Sequence, residues 1–215
     1  MTDPAYDALT TYIEETSEIS PALRDARADA AEFGLDVPDE VTGQLLSTLA
    51  ATGGREGSGA VAVTPAAAVV GLYLLAGLPA KSTLTCIDPE ATHHNKAKRL
   101  FRQAGHAGSR VRFLPSHPLD VMGRLATGAY QLVYVDVDTI DLPVVVQSAW
   151  PLLSPGGTLV LVDALLDGTI ADETRRDRDT AAARQAEEMV RELDDALVTR
   201  LPFGAGMTLV TRNSS

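Results

Sequence analysis

Three aspartates, Asp88, Asp136 and Asp163, each come directly after a short apolar run of the kind that forms a buried strand. When such strands are parallel, their carboxyl ends lie along one edge of the sheet, and ligands bind beyond that edge. A carboxylate there can accept hydrogen bonds from the hydroxyl groups of a ligand. We therefore expect the three side chains to share a functional edge.

The segments that must position these aspartates begin at residue 60, where apolar runs alternate with helical stretches. The runs are Ala60–Val63, Thr83–Ile87, Val111–Leu114, Leu132–Val135 and Thr158–Val162. The stretches between them, 65–78, 90–104, 118–126 and 140–153, have the apolar spacing of helices. Repeated strand–helix units of this length predict an α/β fold with a doubly wound parallel sheet.

The two ends of the chain differ from this alternation. Residues 1–52 read as helices, one of them opening with Ser20 as a cap and Pro21 as its first residue, followed by a glycine-rich joint from Gly53 to Gly59. After a charged helix to about 195, the runs 197–201 and 207–211 flank a glycine turn and predict a hairpin with one antiparallel strand at the sheet edge. We expect a single domain over 1–215, with helices 1–52 covering a core of 59–212.

Composition and charge exclude several functional classes. The chain has 215 residues, a formal net charge of -11 and a pI near 4.7, which argues against a nucleic-acid partner because binding phosphates needs basic surface. The start of the chain has no secretory signal pattern, and its longest apolar stretch is too short to span a membrane. The single cysteine, Cys86, lies in an apolar run and is expected to be a buried thiol. We expect a cytoplasmic protein without a membrane partner.

Four segments, in this order and spacing, carry a resemblance to a known family. They are Leu84–Glu90 (LTCIDPE), Tyr130–Asp138 (YQLVYVDVD), Leu152–Val160 (LLSPGGTLV) and Leu201–Met207 (LPFGAGM). With these segments the chain resembles the bacterial S-adenosylmethionine-dependent O-methyltransferases related to caffeoyl-CoA and catechol O-methyltransferases. The resemblance implies a Rossmann-like methyltransferase fold with a seven-stranded, mostly parallel sheet, an antiparallel strand in the terminal hairpin and amino-terminal cover helices.

The resemblance implies where S-adenosylmethionine would bind. Asp88 takes the place of the acid that holds the adenosine ribose, and its alternative role is to cap the helix after Asp88-Pro89. Thr64 and Ala66 lie in the loop after the first strand, where relatives carry glycines, and Thr64 is also a candidate helix cap. Ser116 and His117 lie on the adenine side, where His117 is alternatively a helix cap. The neighbouring His93 and His94 are expected to lie at the surface.

The resemblance also implies a catalytic and metal-binding pair, Asp136 and Asp163. In relatives these aspartates bind a divalent cation such as Mg²⁺, which prefers oxygen ligands and would activate the acceptor hydroxyl. Two accompanying residues differ here: Thr139 replaces a lysine base and Ala164 replaces an asparagine ligand. Asp136 is in addition a candidate contact of the cofactor.

Three functions are compatible with these observations. The first is methyl transfer from S-adenosylmethionine to a hydroxyl of a small acceptor, with Mg²⁺ or another divalent cation. The second is the same transfer without a metal, accelerated by positioning alone. The third is an inactive relative that keeps the fold as a binding or dimerisation module, favoured by the altered positions Ala62, Thr64, Ala66, Ala68, Thr139 and Ala164. A homodimer, with the apolar amino-terminal helices as a contact, is compatible with all three.

Overall fold

The computed structural model describes residues 4–52 and 57–214. Four residues of the predicted glycine-rich joint, 53–56, lie outside the described residues. Gly57 and Ser58 then lead directly into the first strand.

Seven strands form one sheet in the order β3-β2-β1-β4-β5-β7-β6. Their bounds are Gly59–Val63 (β1), Leu84–Ile87 (β2), Val111–Leu114 (β3), Tyr130–Val135 (β4), Leu153–Leu161 (β5), Ala196–Leu201 (β6) and Met207–Arg212 (β7). The first five strands pair in parallel, while β7 is antiparallel to both β5 and β6. The predicted mostly parallel sheet with a terminal hairpin is confirmed.

The prediction that the antiparallel strand lies at the edge of the sheet was wrong. Strand β7 lies inside the sheet, with Leu159 of β5 opposite Val210, and β6 forms the edge. Burial follows this order: four consecutive residues of β7 are buried, whereas β6 is partly exposed along its whole length. The two strands have similar apolar content, so composition alone does not indicate which of them lies inside the sheet.

Eight helices connect and cover the strands in the described part of the chain. They are Pro4–Thr16 (α1), Pro21–Glu32 (α2), Glu40–Thr52 (α3), Ala67–Gly77 (α4), Ala91–Gln103 (α5), Pro118–Val121 (α6), Leu142–Ala149 (α7) and Arg178–Arg191 (α8). Ser20 caps α2, as predicted, and its side chain accepts a hydrogen bond from the backbone N–H of Leu23. The predicted helix over 140–153 is shorter than expected because Leu153 already belongs to β5.

Two apolar clusters fill the two faces of the sheet. Alternate strand residues such as Ala62, Cys86 and Tyr134 pack with α2–α5 on one face, and residues such as Val63 and Val135 pack with α7 and α8 on the other. Successive side chains of a strand point to opposite faces, so continuous apolar runs supply both clusters at once. Cys86 is a free and fully buried thiol on the first face, as predicted.

A buried polar contact joins three of the helices on that face. The Tyr73 hydroxyl of α4 donates to Glu40 of α3 (2.7 Å) and accepts from the Arg27 guanidinium of α2 (2.8 Å). Burial and the neighbouring Glu40 raise the pKa of Tyr73 to about 12, so its hydroxyl stays protonated and remains a donor. Helices α2 and α3 are thereby fixed over the sheet.

Helix α1 is held more loosely, since none of its residues is buried. Its Tyr6 hydroxyl donates to the backbone carbonyl of Pro202, at the end of β6. Within residues 4–52 and 57–214, no helix combines the length and the apolar character needed to cross a membrane.

Candidate active site

The carboxyl ends of neighbouring strands bring the predicted residues to one edge of the sheet. The ladder of backbone hydrogen bonds continues past the strands: Asp136 donates its N–H to Val63 (2.9 Å) and Asp88 donates to Leu114 (3.4 Å). The N–H of Ser116 also donates to the Leu114 carbonyl (2.9 Å). Thr64, Asp88, Ser116 and Asp136 therefore follow the four adjacent strands β1–β4 at the same edge.

Thr64 has a different role from the predicted helix cap. Helix α4 begins at Ala67 and has Ala66 at its N-cap, so Thr64 lies too early in the chain to cap it. Its buried hydroxyl donates to Asp136 (2.7 Å) and accepts from the N–H of Ala66 (3.0 Å). The side chain that replaces a glycine thus ties the loop after β1 to the aspartate after β4.

Asp136 is a partly buried carboxylate with an altered acidity. Burial raises its pKa, the hydrogen bond from Thr64 works in the opposite direction, and the nearby carboxylates of Asp163, Asp36 and Asp138 raise it further. The protonated form is therefore favoured more than in a solvated aspartate. Such a group is a better proton acceptor than an ordinary aspartate.

Asp163 follows β5 in a left-handed backbone conformation, with φ of 53°. Aspartate is one of the few residues that adopts this conformation with moderate strain. Its carboxylate accepts a hydrogen bond from the N–H of Ala205 (2.7 Å) in the turn between β6 and β7. Gly204 of the same turn also has positive φ, and a Cβ there would overlap the Asp163 carboxylate. The turn therefore closes against this aspartate.

Asp136 and Asp163 face a common cavity, which we call the acidic cleft. It has a volume of about 170 Å³ and is lined by residues of segment 36–42, by the ends of β4 and β5, and by the start of β7 with its turn. Two further carboxylates, Asp36 and Asp39, line it from the segment between α2 and α3. No lysine, arginine or histidine that the structure describes lines this cleft.

Asp88 is buried and already has two partners. One carboxylate oxygen accepts from the N–H of Glu90 (3.2 Å), and the other lies 2.6 Å from Nδ1 of His93. The alternative cap role is not found as predicted, because α5 begins at Ala91 with Glu90 at its N-cap. Each oxygen of a carboxylate has two lone pairs, so Asp88 keeps acceptor capacity for ligand hydroxyls.

The expectation that both histidines lie at the surface was wrong. His93 turns back over the end of β2 to pair with Asp88, and His94 is buried against the Phe113 ring at 5.0 Å. Burial lowers the pKa of His94, which keeps it neutral. The two rings turn towards Asp88 and Phe113 at the strand side of α5, whereas Ala91 and Thr92 of the same turn stay exposed.

The segment just after α2 lies near the loop after β1. Phe33 and Leu35 line a small cavity of about 20 Å³ together with Pro65 and Ala66, and the Phe33 ring contacts His93 at 5.5 Å. The acidic cleft does not extend to Asp88 or Ser116. His117 is the exposed N-cap residue of α6, although its side chain makes no capping hydrogen bond.

Several residues of the cleft were not found by sequence reasoning. Tyr134 lies in an apolar strand and reads as a core residue, while Asp36, Asp39 and Phe203 were given no role in a site. The sequence carries no signal for these positions because they meet the cleft only after the amino-terminal helices have packed on the sheet.

Comparison with known protein sequences identifies the family of this chain. A sequence model of a family described as O-methyltransferase matches residues 66–213. A Mycobacterium marinum protein, named as a candidate O-methyltransferase, is 34% identical to this chain over 207 residues. The aligned residues cover 96% of this chain and 92% of that protein. The chain belongs to the O-methyltransferase family.

Solved structures give the same fold. A Corynebacterium glutamicum protein is 61% identical and superposes with a TM-score of 0.95, covering 97% of each chain. The O-methyltransferase TomG of Streptomyces achromogenes, described as involved in tomaymycin synthesis and solved in complex with S-adenosylmethionine, has a TM-score of 0.86 at 23% identity over 99% of each chain.

These comparisons confirm the predicted family and the Rossmann-like methyltransferase fold. Membership of the family implies a small-molecule acceptor. The alternative of an inactive module finds no support among the relatives and structural neighbours.

Proposed function

We propose that this protein transfers the methyl group of S-adenosylmethionine to a hydroxyl of a small acceptor bound in the acidic cleft. The observation that carries the proposal is the position of Asp136. It lines the cleft and is hydrogen-bonded to the loop after β1, beside the strand ends that carry Asp88 and Ser116. One residue thus connects the expected acceptor side with the expected cofactor side.

The side chains on the cofactor side fit the chemistry of an adenosine. Asp88 offers a buried carboxylate for the two ribose hydroxyls, and Ser116 offers a half-buried hydroxyl beside it. Ala66 lines a small cavity together with Phe33 and Leu35, and Thr64 adds a buried hydroxyl to the same loop.

Asp136 is the proposed proton acceptor of the reaction. When bound, the cofactor would supply an electrophilic methyl carbon, with its sulfonium sulfur as the leaving group. Asp136 would accept the proton that the acceptor hydroxyl gives up when its oxygen is methylated. Burial, which raises the pKa of Asp136, makes this proton transfer easier. Thr64 holds the carboxylate in place meanwhile.

A divalent cation stays a separate proposal for Asp136 and Asp163. Within the described residues, no group of three His, Cys, Asp or Glu side chains is arranged to hold a metal ion. Mg²⁺ is often bound by one or two carboxylates and several waters, so two aspartates in one cleft are compatible with it. The place of the asparagine ligand that the resemblance implies is taken by the buried Ala164, whose side chain has no oxygen to offer a cation. We therefore favour transfer that depends on positioning and on Asp136.

Titration calorimetry with S-adenosylmethionine, with and without Mg²⁺, tests the proposal. We expect heat of binding in both cases, and Asp88→Asn should weaken binding by about 1–3 kcal/mol, the range for a lost hydrogen bond to a charged group. Asp194→Asn is the matched control, because Asp194 is an exposed carboxylate just before β6, on the side of the sheet where the parallel strands begin. The absence of binding heat at millimolar ligand would contradict the proposal. Binding heat only in the presence of Mg²⁺ would favour the metal-dependent reaction instead.

The proposed setting of this reaction is a cytoplasmic homodimer without nucleic-acid or membrane partners. Support for a dimer comes from Tyr6, Leu9 and Tyr12, three exposed apolar side chains on α1. The net charge of -11 disfavours binding to phosphate backbones and to anionic lipid surfaces.

A further inference from the structure

The charge of the acidic cleft restricts what can bind there. Asp36, Asp39, Asp136 and Asp163 line it, without a basic side chain from the described residues. The carboxylates of Asp163 and Asp36 are close enough to Asp136 to raise its pKa. A carboxylate or phosphate on the ligand would be repelled, whereas a positive charge would be attracted from all sides.

The walls between these carboxylates are apolar. Val37, Pro38, Val162, Phe203 and Met207 contribute them. At about 170 Å³ the cleft is smaller than the roughly 300–1,000 Å³ of pockets for drug-sized ligands. The space suits a compact body such as one aromatic ring.

A second polar feature of the cleft points to a ligand. Tyr134 is 1% exposed and lines the cleft, and its hydroxyl has no hydrogen-bond partner within the described residues. The hydroxyl is not one of the fully enclosed unpaired atoms, so it opens into the cleft and is free to bond to a molecule there. A tyrosine hydroxyl carries a proton that it can donate, so Tyr134 can give a hydrogen bond to an oxygen of a bound molecule.

We propose that the methyl acceptor is a compact compound with an amine. Its positively charged amine pairs with the carboxylates of the acidic cleft, and its hydroxyl oxygen accepts a hydrogen bond from Tyr134. That this compound is methylated rests on the proposed function. The preference for a cation rests on the cleft alone. Asp36 is the principal specificity residue, because it is exposed at the cleft and the described structure gives its carboxylate no hydrogen bond.

Three probes that share a phenol and differ in charge test the proposal: tyramine (cationic), 4-ethylphenol (neutral) and 4-hydroxyphenylacetate (anionic). Their binding is measured by calorimetry with and without S-adenosylhomocysteine. We expect tyramine to bind at least about tenfold more tightly than 4-ethylphenol, and the anion to bind most weakly. The advantage should shrink at 0.5 M salt, where the screening length falls to about 4 Å. Equal binding of the three, binding of none at millimolar concentration, or a preference for the anion overturns the inference.

Variants identify the residues responsible. Asp36→Asn should reduce the preference for tyramine over 4-ethylphenol about threefold or more. Tyr134→Phe should weaken all three probes, because it removes a hydroxyl that each of them meets. Asp194→Asn, the distant control, should keep the wild-type preference. An unchanged preference in Asp36→Asn, with the melting temperature of the wild type, contradicts the assignment of Asp36.

The outcomes separate this inference from the proposed function. If tyramine is preferred but S-adenosylmethionine neither binds nor is consumed, the proposed function fails and the cationic ligand stands. If methyl transfer occurs but shows no preference for tyramine, the proposed function stands and the cationic ligand is ruled out. A preference that disappears at saturating Mg²⁺ assigns the charge of the cleft to a metal and overturns the inference.

Discussion

Asp136 illustrates how one residue acquires a function that its neighbours in sequence do not indicate. From the sequence it is an acid after a strand, and Thr64 is a candidate cap 72 positions earlier. In the folded chain the Thr64 hydroxyl is bonded to Asp136, and the glycine replacement becomes part of the site. The loss of a glycine at position 64 therefore does not by itself imply loss of the site.

The raised pKa of Asp136 predicts how stability depends on pH. Because the folded state favours the protonated carboxyl, Asp136 contributes stability at low pH, and this contribution is lost as pH rises through the folded pKa. Asp136→Asn removes the titration and keeps an acceptor for Thr64. The free energy of unfolding of Asp136→Asn, relative to wild type, should therefore increase from about pH 4, the ordinary aspartate range, towards pH 7. Urea unfolding at a series of pH values measures this difference.

The same series on Asp194→Asn shows whether any lost carboxylate gives this trend. In that variant the carboxylate is removed from an exposed turn at the far edge of the sheet. A pH-independent difference between Asp136→Asn and wild type would show that Asp136 is solvated and would remove the support for its role as a base.

At the scale of elements, the cover helices are held by a close crossing of α3 and α4. Gly77 of α4 lies against the backbone carbonyl of Ser47 in α3, and Gly43 of α3 lies against the Tyr73 ring. The Ser47 hydroxyl also donates to the backbone carbonyl of Tyr73 (2.8 Å). Since α3 follows segment 36–39 of the acidic cleft, this crossing also sets the position of Asp36 and Asp39.

Gly77→Ala tests the crossing. An added Cβ would overlap the Ser47 carbonyl, which is backbone and cannot rotate away, so the two helices must separate. We expect a loss of about 1–3 kcal/mol in the free energy of unfolding, the usual range for overpacking. Alanine is the better helix former, which offsets part of this loss. Urea denaturation followed by circular dichroism gives the value.

Gly108→Ala is the matched control, because a Cβ there meets no atom within 4 Å and the backbone is not left-handed. Its effect should stay within about 0.5 kcal/mol, as for most surface changes. If Gly77→Ala is instead as stable as wild type, α3 and α4 do not approach this closely.

The sequence predicted elements better than it predicted contacts between them. The five parallel strands, the terminal hairpin and the Ser20 cap follow from local patterns of burial and turn chemistry. The pairing of His93 with Asp88 and the inner place of β7 do not, because both depend on how a helix or hairpin packs on the sheet. The candidate site divides in the same way: the aspartates that end strands were predicted, while Tyr134 and Asp36 were missed.

At the scale of the whole molecule, the sheet buries apolar residues on both faces, and Cys86 lies in its second strand. Burial raises the pKa of this thiol far above its ordinary value. Cys86 is fully buried, and only a thiolate reacts with thiol reagents. A reagent can therefore react with this residue only when the sheet opens. The chain has one cysteine, so any reaction with a thiol reagent reports on this single position.

Cys86 is consequently a built-in reporter of global opening. Labelling by a maleimide under native conditions should be at least about a thousandfold slower than in urea, because opening the core costs several kcal/mol. Mass spectrometry follows the reaction without a second label, and a ligand that binds only the folded chain should slow it further. Fast labelling in native buffer would place Cys86 in a part of the sheet that opens locally. The rate at which Cys86 is alkylated would thus measure how much a bound ligand stabilises the folded chain, although this thiol takes no part in the chemistry of the site.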